Sequence, residues 1–207
     1  MSNISIAVIG ASWGGLAALT QLVSALPANL RLPLAVVQHR SRHADNLLAS
    51  LLQDVTELRV VDVEDKEPLE AGSVYIAPAN YHMMVERGHL SLTTDALVRF
   101  SRPSIDVMFI SAADAYPGAT LGIVLTGAND DGSLGLRHIV NRGGRAIVQD
   151  PASAESPTMP LAAKQAVPEA EVVPLPQIAA RLVEIAKSSP KLRGRRADPS
   201  APEESAG

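Results

Sequence analysis

Short apolar runs alternate with stretches of helical spacing along most of the chain. Residues 4–9 (ISIAVI) form a β-branched run closed by Gly10, the pattern of a strand buried on both faces. Beyond Gly14 and Gly15, Leu16, Leu19, Leu22, Val23 and Leu26 recur at helical spacing, and Pro27 follows them. Residues 33–38 (PLAVVQ) supply a second strand, so the first unit reads as βαβ with a right-handed crossover. Leu47, Leu48, Leu51 and Leu52 fit a helix, residues 58–63 a strand, and residues 73–77 another strand before Pro78. Residues 81–93 alternate around Glu86-Arg87-Gly88, which predicts an antiparallel hairpin. A helix is expected over 104–115, after Pro103, and a strand over 121–125. A helix over 133–140 ended by Gly143-Gly144, a strand over 145–149 and a last helix over 177–187 complete the pattern.

This order predicts an α/β fold: a doubly wound, mostly parallel sheet with helices on both faces and an antiparallel hairpin excursion. From residue 188 onward Pro, Arg, Ser and Glu dominate with no apolar period. One folded domain over 1–187 and a disordered tail over 188–207 are expected.

Composition narrows the function. A length of 207 residues suits one core and is short for two. A net charge of −4 gives no electrostatic footprint for nucleic acid, and an aromatic share of 3% leaves little to stack bases on. The chain has no cysteine, which excludes disulfides, thiolate metal sites and cysteine nucleophiles. Any covalent catalysis must use an oxygen or nitrogen nucleophile. The N-terminus lacks the basic and apolar regions of a signal peptide, and no apolar stretch approaches the about 18 residues of a membrane span. A cytoplasmic protein without membrane insertion is expected.

In open α/β sheets, ligands bind beyond the carboxyl ends of the strands. There the first strand runs into Gly10-Ala11-Ser12-Trp13-Gly14-Gly15, and the second into Gln38-His39-Arg40. The strand ending at Leu125 runs into Thr126-Gly127-Ala128-Asn129-Asp130-Asp131-Gly132. A serine, a histidine and a carboxylate therefore share one rim. A serine hydroxyl is a poor nucleophile until a neighbouring base takes its proton, and a carboxylate behind an imidazole holds its tautomer. The span from Gly10 to Gly14 also matches G-x-S-x-G, a turn that exposes a serine above a sheet, with helix N–H groups near enough to stabilise an oxyanion. Each residue has a plainer reading. Ser12 and either Asp130 or Asp131 suit helix caps, and His39 suits a strand-end histidine held by a backbone carbonyl. On the residues alone both readings stay open.

Two other classes compete. Gly10-x-Ser12-x-x-Gly15 approaches the dinucleotide fingerprint, although Ser12 stands where its second glycine allows close approach to the pyrophosphate. Arg40 would suit a 2′-phosphate. The chain is otherwise an interaction module that keeps the fold without catalysis, a reading opposed by the complete serine, histidine and aspartate set.

At these positions the chain resembles the catalytic domain of chemotaxis protein-glutamate methylesterases (CheB). The resemblance runs from about residue 6 to 173. It rests on VIGASWGG (8–15), VVQH (36–39), VYIAPANYHM (74–83), RFSRPSIDVMF (99–109), LTGANDDGSLGL (125–136) and SPTMPLAAKQA (156–166). It implies a serine esterase that hydrolyses glutamate methyl esters on chemoreceptor-like proteins and releases methanol, with receptor glutamines also deamidated. It places the nucleophile on Ser12, the base on His39 and the acid on Asp131, with backbone oxyanion donors at Trp13 and Ala128. It implies no cofactor and no metal. A receiver domain, which precedes this domain in response-regulator members, has no room before residue 4, so a separate regulatory partner or constitutive activity is expected. Trp13 stands where many members have a small residue or threonine, and Asn129 where glycine is common.

Four arginines, Arg40, Arg42, Arg99 and Arg102, fall near the expected rim and would suit an acidic receptor helix. His82 and Met83 are candidates to line the cleft, with packing as the plainer reading. His43, His89 and His138 carry no assigned role. The basic stretch 191–196 (KLRGRR) reads as a solvated tail.

Overall fold

The computed structural model describes residues 4–40 and 47–187. In chain order the strands are β1 (Ile6–Ala11), β2 (Leu34–Gln38), β3 (Arg59–Asp62), β4 (Glu67–Pro68) and β5 (Ser73–Ile76). They continue with β6 (His82–Glu86), β7 (His89–Thr93), β8 (Thr120–Val124), β9 (Arg145–Gln149) and β10 (Glu171–Val173). The helices are α1 (Gly15–Ser24), α2 (Leu48–Gln53), α3 (Ile105–Ala115), α4 (Ser133–Asn141), α5 (Thr158–Ala166) and α6 (Leu175–Lys187). Seven strands form one sheet in the order β10-β9-β8-β1-β2-β5-β3, and every pairing in it is parallel. The hairpin read over 81–93 is β6 and β7, joined at Arg87-Gly88, and β4 adds a third strand to this small antiparallel sheet.

Alternation along β1 shows why both faces carry helices. Ala7, Ile9 and Ala11 join one apolar cluster with Leu19 and Leu22 of α1, Leu52 of α2 and Leu182 of α6. Ile6 and Val8 join the other, with Met108 and Phe109 of α3, Leu136 of α4, Met159 of α5 and Met83 of β6. Each large apolar side chain so buried contributes roughly 1.5–3 kcal/mol. The doubly wound arrangement follows from a strand that is apolar on both sides.

Three elements differ from the sequence reading. α5 carries Pro160 in its first turn, where the missing N–H has no intrahelical partner to lose. β10, with three residues, and β4, with two, are too short to show a period. Leu16 is 46% exposed although it shares the helical spacing of the core positions of α1. The expected tail over 188–207 lies outside the described residues.

The central strands stand in the order β8-β1-β2. Their carboxyl ends carry, respectively, the segment 125–132, Ser12 and His39, so the sheet topology itself brings the three candidates to one rim.

Candidate active site

Ser12 leaves β1 in a turn fastened on both sides. Its N–H donates to the Thr126 carbonyl at 3.0 Å, and its carbonyl accepts from Gln38 Nε2 at 2.7 Å. The same Gln38 nitrogen donates to the His39 carbonyl at 3.0 Å, so one side chain ties the ends of β1 and β2 together. Thr126 Oγ1 donates to the Trp13 carbonyl at 2.9 Å. Gly14, at φ 75°, then turns the chain into α1; a side chain there would strain the backbone and collide with Glu155. Gly14 is the helix cap and no side chain caps α1, so the plainer reading of Ser12 as a capping residue is not what the turn contains.

His39 and Asp131 meet directly. The imidazole Nε2 donates to Asp131 Oδ2 at 2.8 Å, with the histidine side chain 11% exposed and the aspartate 0%. Asp131 is also held by the start of α3: Oδ2 accepts from the Ile105 N–H at 2.7 Å, and Oδ1 from the Asp106 N–H and Ser104 Oγ, each at 3.0 Å. The Gly132 N–H completes the shell at 3.0 Å. Burial works against the charge of Asp131. Hydrogen bonds from His39 and from the N–H groups of Ile105 and Asp106 outweigh it and hold the carboxyl below its ordinary value. A carboxylate stabilised this way orients the ring and favours an imidazolium without accepting its proton.

The structure separates the two neighbouring aspartates that spacing left open. Asp130 is exposed and pairs with Arg99, whose hydrogen bond holds its carboxyl low. Asp106, buried beside Asp131, goes the other way. Burial is the main cause of its rise to about 6, Asp131 adds to it, and the Gly135 N–H and Arg99 oppose it.

Asn129 adds a contact on the other side of the ring: its Nδ2 lies 3.2 Å from His39 Nδ1, while its Oδ1 accepts from the Asp131 N–H at 3.2 Å. Among the described residues Ser12 makes no hydrogen bond to His39. Both line a cleft of about 900 Å³ with Trp13, Leu16, Ala128 and Glu155. Hydrogen bonds between nucleophile and base are often long before substrate arrives. Trp13 is 66% exposed at this cleft. Among the described residues the N–H groups of Trp13 and Ala128 donate to no backbone carbonyl. Glu155 lies against Gly14 at the start of α1, where a dinucleotide reading would seat a pyrophosphate. A carboxylate there repels phosphate.

Of the arginines expected at the rim, the three among the described residues are already engaged within the chain. Arg102 donates to Asn80 Oδ1 at 2.7 Å and to the Thr94 and Asp95 carbonyls at 2.6 and 2.8 Å. Arg99 pairs with Asp130 and Asp106, and Arg40 donates to the Ala77 carbonyl at 2.7 Å. They brace loops rather than offer free charge to a partner. His82 is buried, accepts from the Ser104 N–H at 3.1 Å and donates to the Ala96 carbonyl at 3.1 Å, and Met83 is buried among apolar neighbours. His89 lies near Glu86 and His138 bonds Asp114. Arg42, His43 and the stretch 191–196 lie outside the described residues. Gln38, Thr126 and Ser104 were missed as supports; only Ser104, following Pro103 at a helix start, carried a local signal.

Comparison with known proteins places the chain in a family. Residues 7–182 match the CheB methylesterase family. A putative protein-glutamate methylesterase/protein-glutamine glutaminase of Leptospira interrogans is 39% identical over 178 residues, which are 86% of this chain and 92% of that protein. The protein-glutamate methylesterase FrzG of Myxococcus xanthus is 38% identical over 177 residues, covering 85% of this chain and 53% of its own length. The crystal structure of the Thermotoga maritima CheB methylesterase catalytic domain superposes with a TM-score of 0.85 at 31% identity, over 88% of this chain and 98% of that one. With a family match over residues 7–182 and a solved relative of the same fold, the chain belongs to the CheB methylesterase family.

Proposed function

We propose that the protein is a serine esterase that hydrolyses glutamate methyl esters on chemoreceptor-like proteins, with Ser12 as nucleophile, His39 as base and Asp131 as acid. Residues 1–187 form its catalytic unit. The observation that carries this reading is the 2.8 Å hydrogen bond between His39 and a buried, multiply donated Asp131, at the cleft that also holds Ser12.

The chemistry follows from these groups. Ser12 Oγ attacks the ester carbonyl carbon while its proton passes to His39, and Asp131 stabilises the imidazolium that forms. The carbonyl oxygen becomes an oxyanion facing the N–H groups of Trp13 and Ala128. Collapse of this intermediate expels methoxide, which takes the proton from His39 and leaves as methanol. Water, deprotonated by His39, then attacks the acyl-serine, and glutamate and Ser12 are released. With a glutamine substrate the same steps release ammonia in place of methanol. No step calls on a cofactor.

The receptor-like substrate and a cytoplasmic setting belong to this proposal. No helix among the described residues is long and apolar enough to cross a membrane. The test is methanol release from methylated receptor fragments by wild type and Ser12→Ala. Release that depends on Ser12 supports the reading. Folded protein that hydrolyses neither receptor fragments nor a small activated ester returns the chain to an interaction module.

A further inference from the structure

The Asn129 carboxamide has only one orientation compatible with its neighbours. The Asp131 backbone N–H can only donate, so the atom 3.2 Å from it must be the amide oxygen. The NH2 group therefore faces His39 Nδ1, 3.2 Å away, and that nitrogen must present its lone pair. The other ring nitrogen, Nε2, carries the proton and donates it to Asp131 at 2.8 Å. Two side-chain contacts thus fix one tautomer, and both ring nitrogens are engaged before any substrate binds. With Nε2 committed to the acid, Nδ1 is the nitrogen left to receive the Ser12 proton. It is also the nitrogen that Asn129 occupies. Once Nδ1 is protonated, two donors would face each other across the same gap.

We propose that Asn129 is a positioning residue that latches the base in its resting state: it holds His39 as the Nε2–H tautomer and keeps the Nδ1 lone pair covered until the carboxamide swings away to admit Ser12. The inference rests on the esterase reading, in which His39 takes the Ser12 proton. The position accounts for the reach. Asn129 is half-buried in the loop between β8 and α4, one residue after the cleft-lining Ala128, so whatever enters the cleft at Ala128 adjoins the latch.

The test compares Asn129→Ala and Asn129→Asp with wild type on a methylated receptor peptide, together with 15N shifts of the His39 ring. Removing the latch in Asn129→Ala is expected to raise kcat about fivefold, the worth of one neutral hydrogen bond, with KM unchanged. Its Nδ1 resonance moves toward that of a free pyridine-type nitrogen while Nε2 stays in place. Asn129→Asp places an acceptor against Nδ1, demands a proton there and removes the lone pair, and kcat is expected to fall at least about tenfold. A lower or unchanged kcat in Asn129→Ala, with wild-type release still dependent on Ser12, overturns the latch and leaves the esterase intact. Wild type without Ser12-dependent release overturns the esterase reading. Unchanged ring shifts in Asn129→Ala overturn the tautomer lock whatever the activity.

Discussion

Asp131 and Asp106 each hold the start of the other's helix. Asp131, two residues before α4, accepts the Asp106 N–H at 3.0 Å, and Asp106, in the first turn of α3, accepts the Gly135 N–H of α4 at 2.7 Å. Two buried carboxylates are thereby exchanged between two helix N-termini, where negative charge is favoured. Only Asp131 also reaches His39. The exchange ties α3 to α4 beside the site, yet the two acids respond oppositely to pH: burial raises Asp106 against its hydrogen bond from Gly135, whereas the hydrogen bonds that Asp131 accepts outweigh its burial.

Asp106 should make the protein less stable as pH rises toward neutrality. Its folded value of about 6 exceeds the ordinary 3.8, so between these values the folded state binds more protons than the unfolded one. Its stabilising contribution is complete below about 4 and is lost as pH rises through about 6. Asp131 acts in the reverse sense, and its contribution is lost only as pH falls through a value below 3.8. Asp106→Asn keeps an acceptor for Gly135 and removes the titration. Denaturant unfolding at pH 4 and pH 7.5 should show a gain of up to about 3 kcal/mol for the variant relative to wild type at the higher pH. Parallel pH profiles for the two proteins would contradict it.

The neighbouring aspartates should separate cleanly in kinetics. Asp131→Asn is expected to cut methanol release about 10⁴-fold. Asp130→Asn, which loses only an exposed pair with Arg99, should stay within about threefold of wild type, because exposed pairs contribute little. Comparable losses in the two variants would show that the acid has been misassigned.

Ser104 serves two structures at once. Its hydroxyl donates to Asp131 and accepts from the Val107 N–H as the cap of α3. Ser104→Ala should lower stability by about 1 kcal/mol, the usual cost of a lost cap. It should also lower kcat, since Asp131 loses a donor. Unaltered kcat in a destabilised variant would restrict Ser104 to capping.

Trp13→Ala is expected to leave the unfolding midpoint nearly unchanged, within about 0.5 kcal/mol, because the indole is mostly exposed. The turn is fastened through the Trp13 carbonyl, which alanine retains. A raised KM for a protein substrate with an unaltered KM for a small ester would place the indole in recognition; a large stability loss would place it in packing.

Arg102→Ala should behave differently. It leaves Asn80 and the carbonyls of Thr94 and Asp95 without their shared donor, so melting should fall and any activity loss should be equal for receptor and small-ester substrates. Selective loss on the receptor substrate would restore the docking role that the sequence suggested.

The parallel sheet was legible because strands such as β1 are apolar on both sides, and Ser12 and His39 were legible because they stand directly at strand ends. The choice between Asp130 and Asp131 was not available from pattern, since both lie in the same polar loop; the family resemblance pointed to Asp131, and in the fold the approach of α3 sets the two apart. Gln38 and Thr126 act through backbone groups far away in sequence, which leaves no periodic trace. α5 was hidden by Pro160, and β10 by its three-residue length. The arginines read as free charge because sequence shows that a cation is present, not which carbonyls it has already met.

His39 and Asp131 are 92 residues apart in the chain and meet only because β8, β1 and β2 lie side by side. Under the proposed triad, turnover therefore doubles as a gauge of folding at the middle of the sheet. Fraying confined to β3 or β10 at its edges would leave the enzyme working, whereas any loosening between β1 and β8 would silence it while most of the secondary structure still stood.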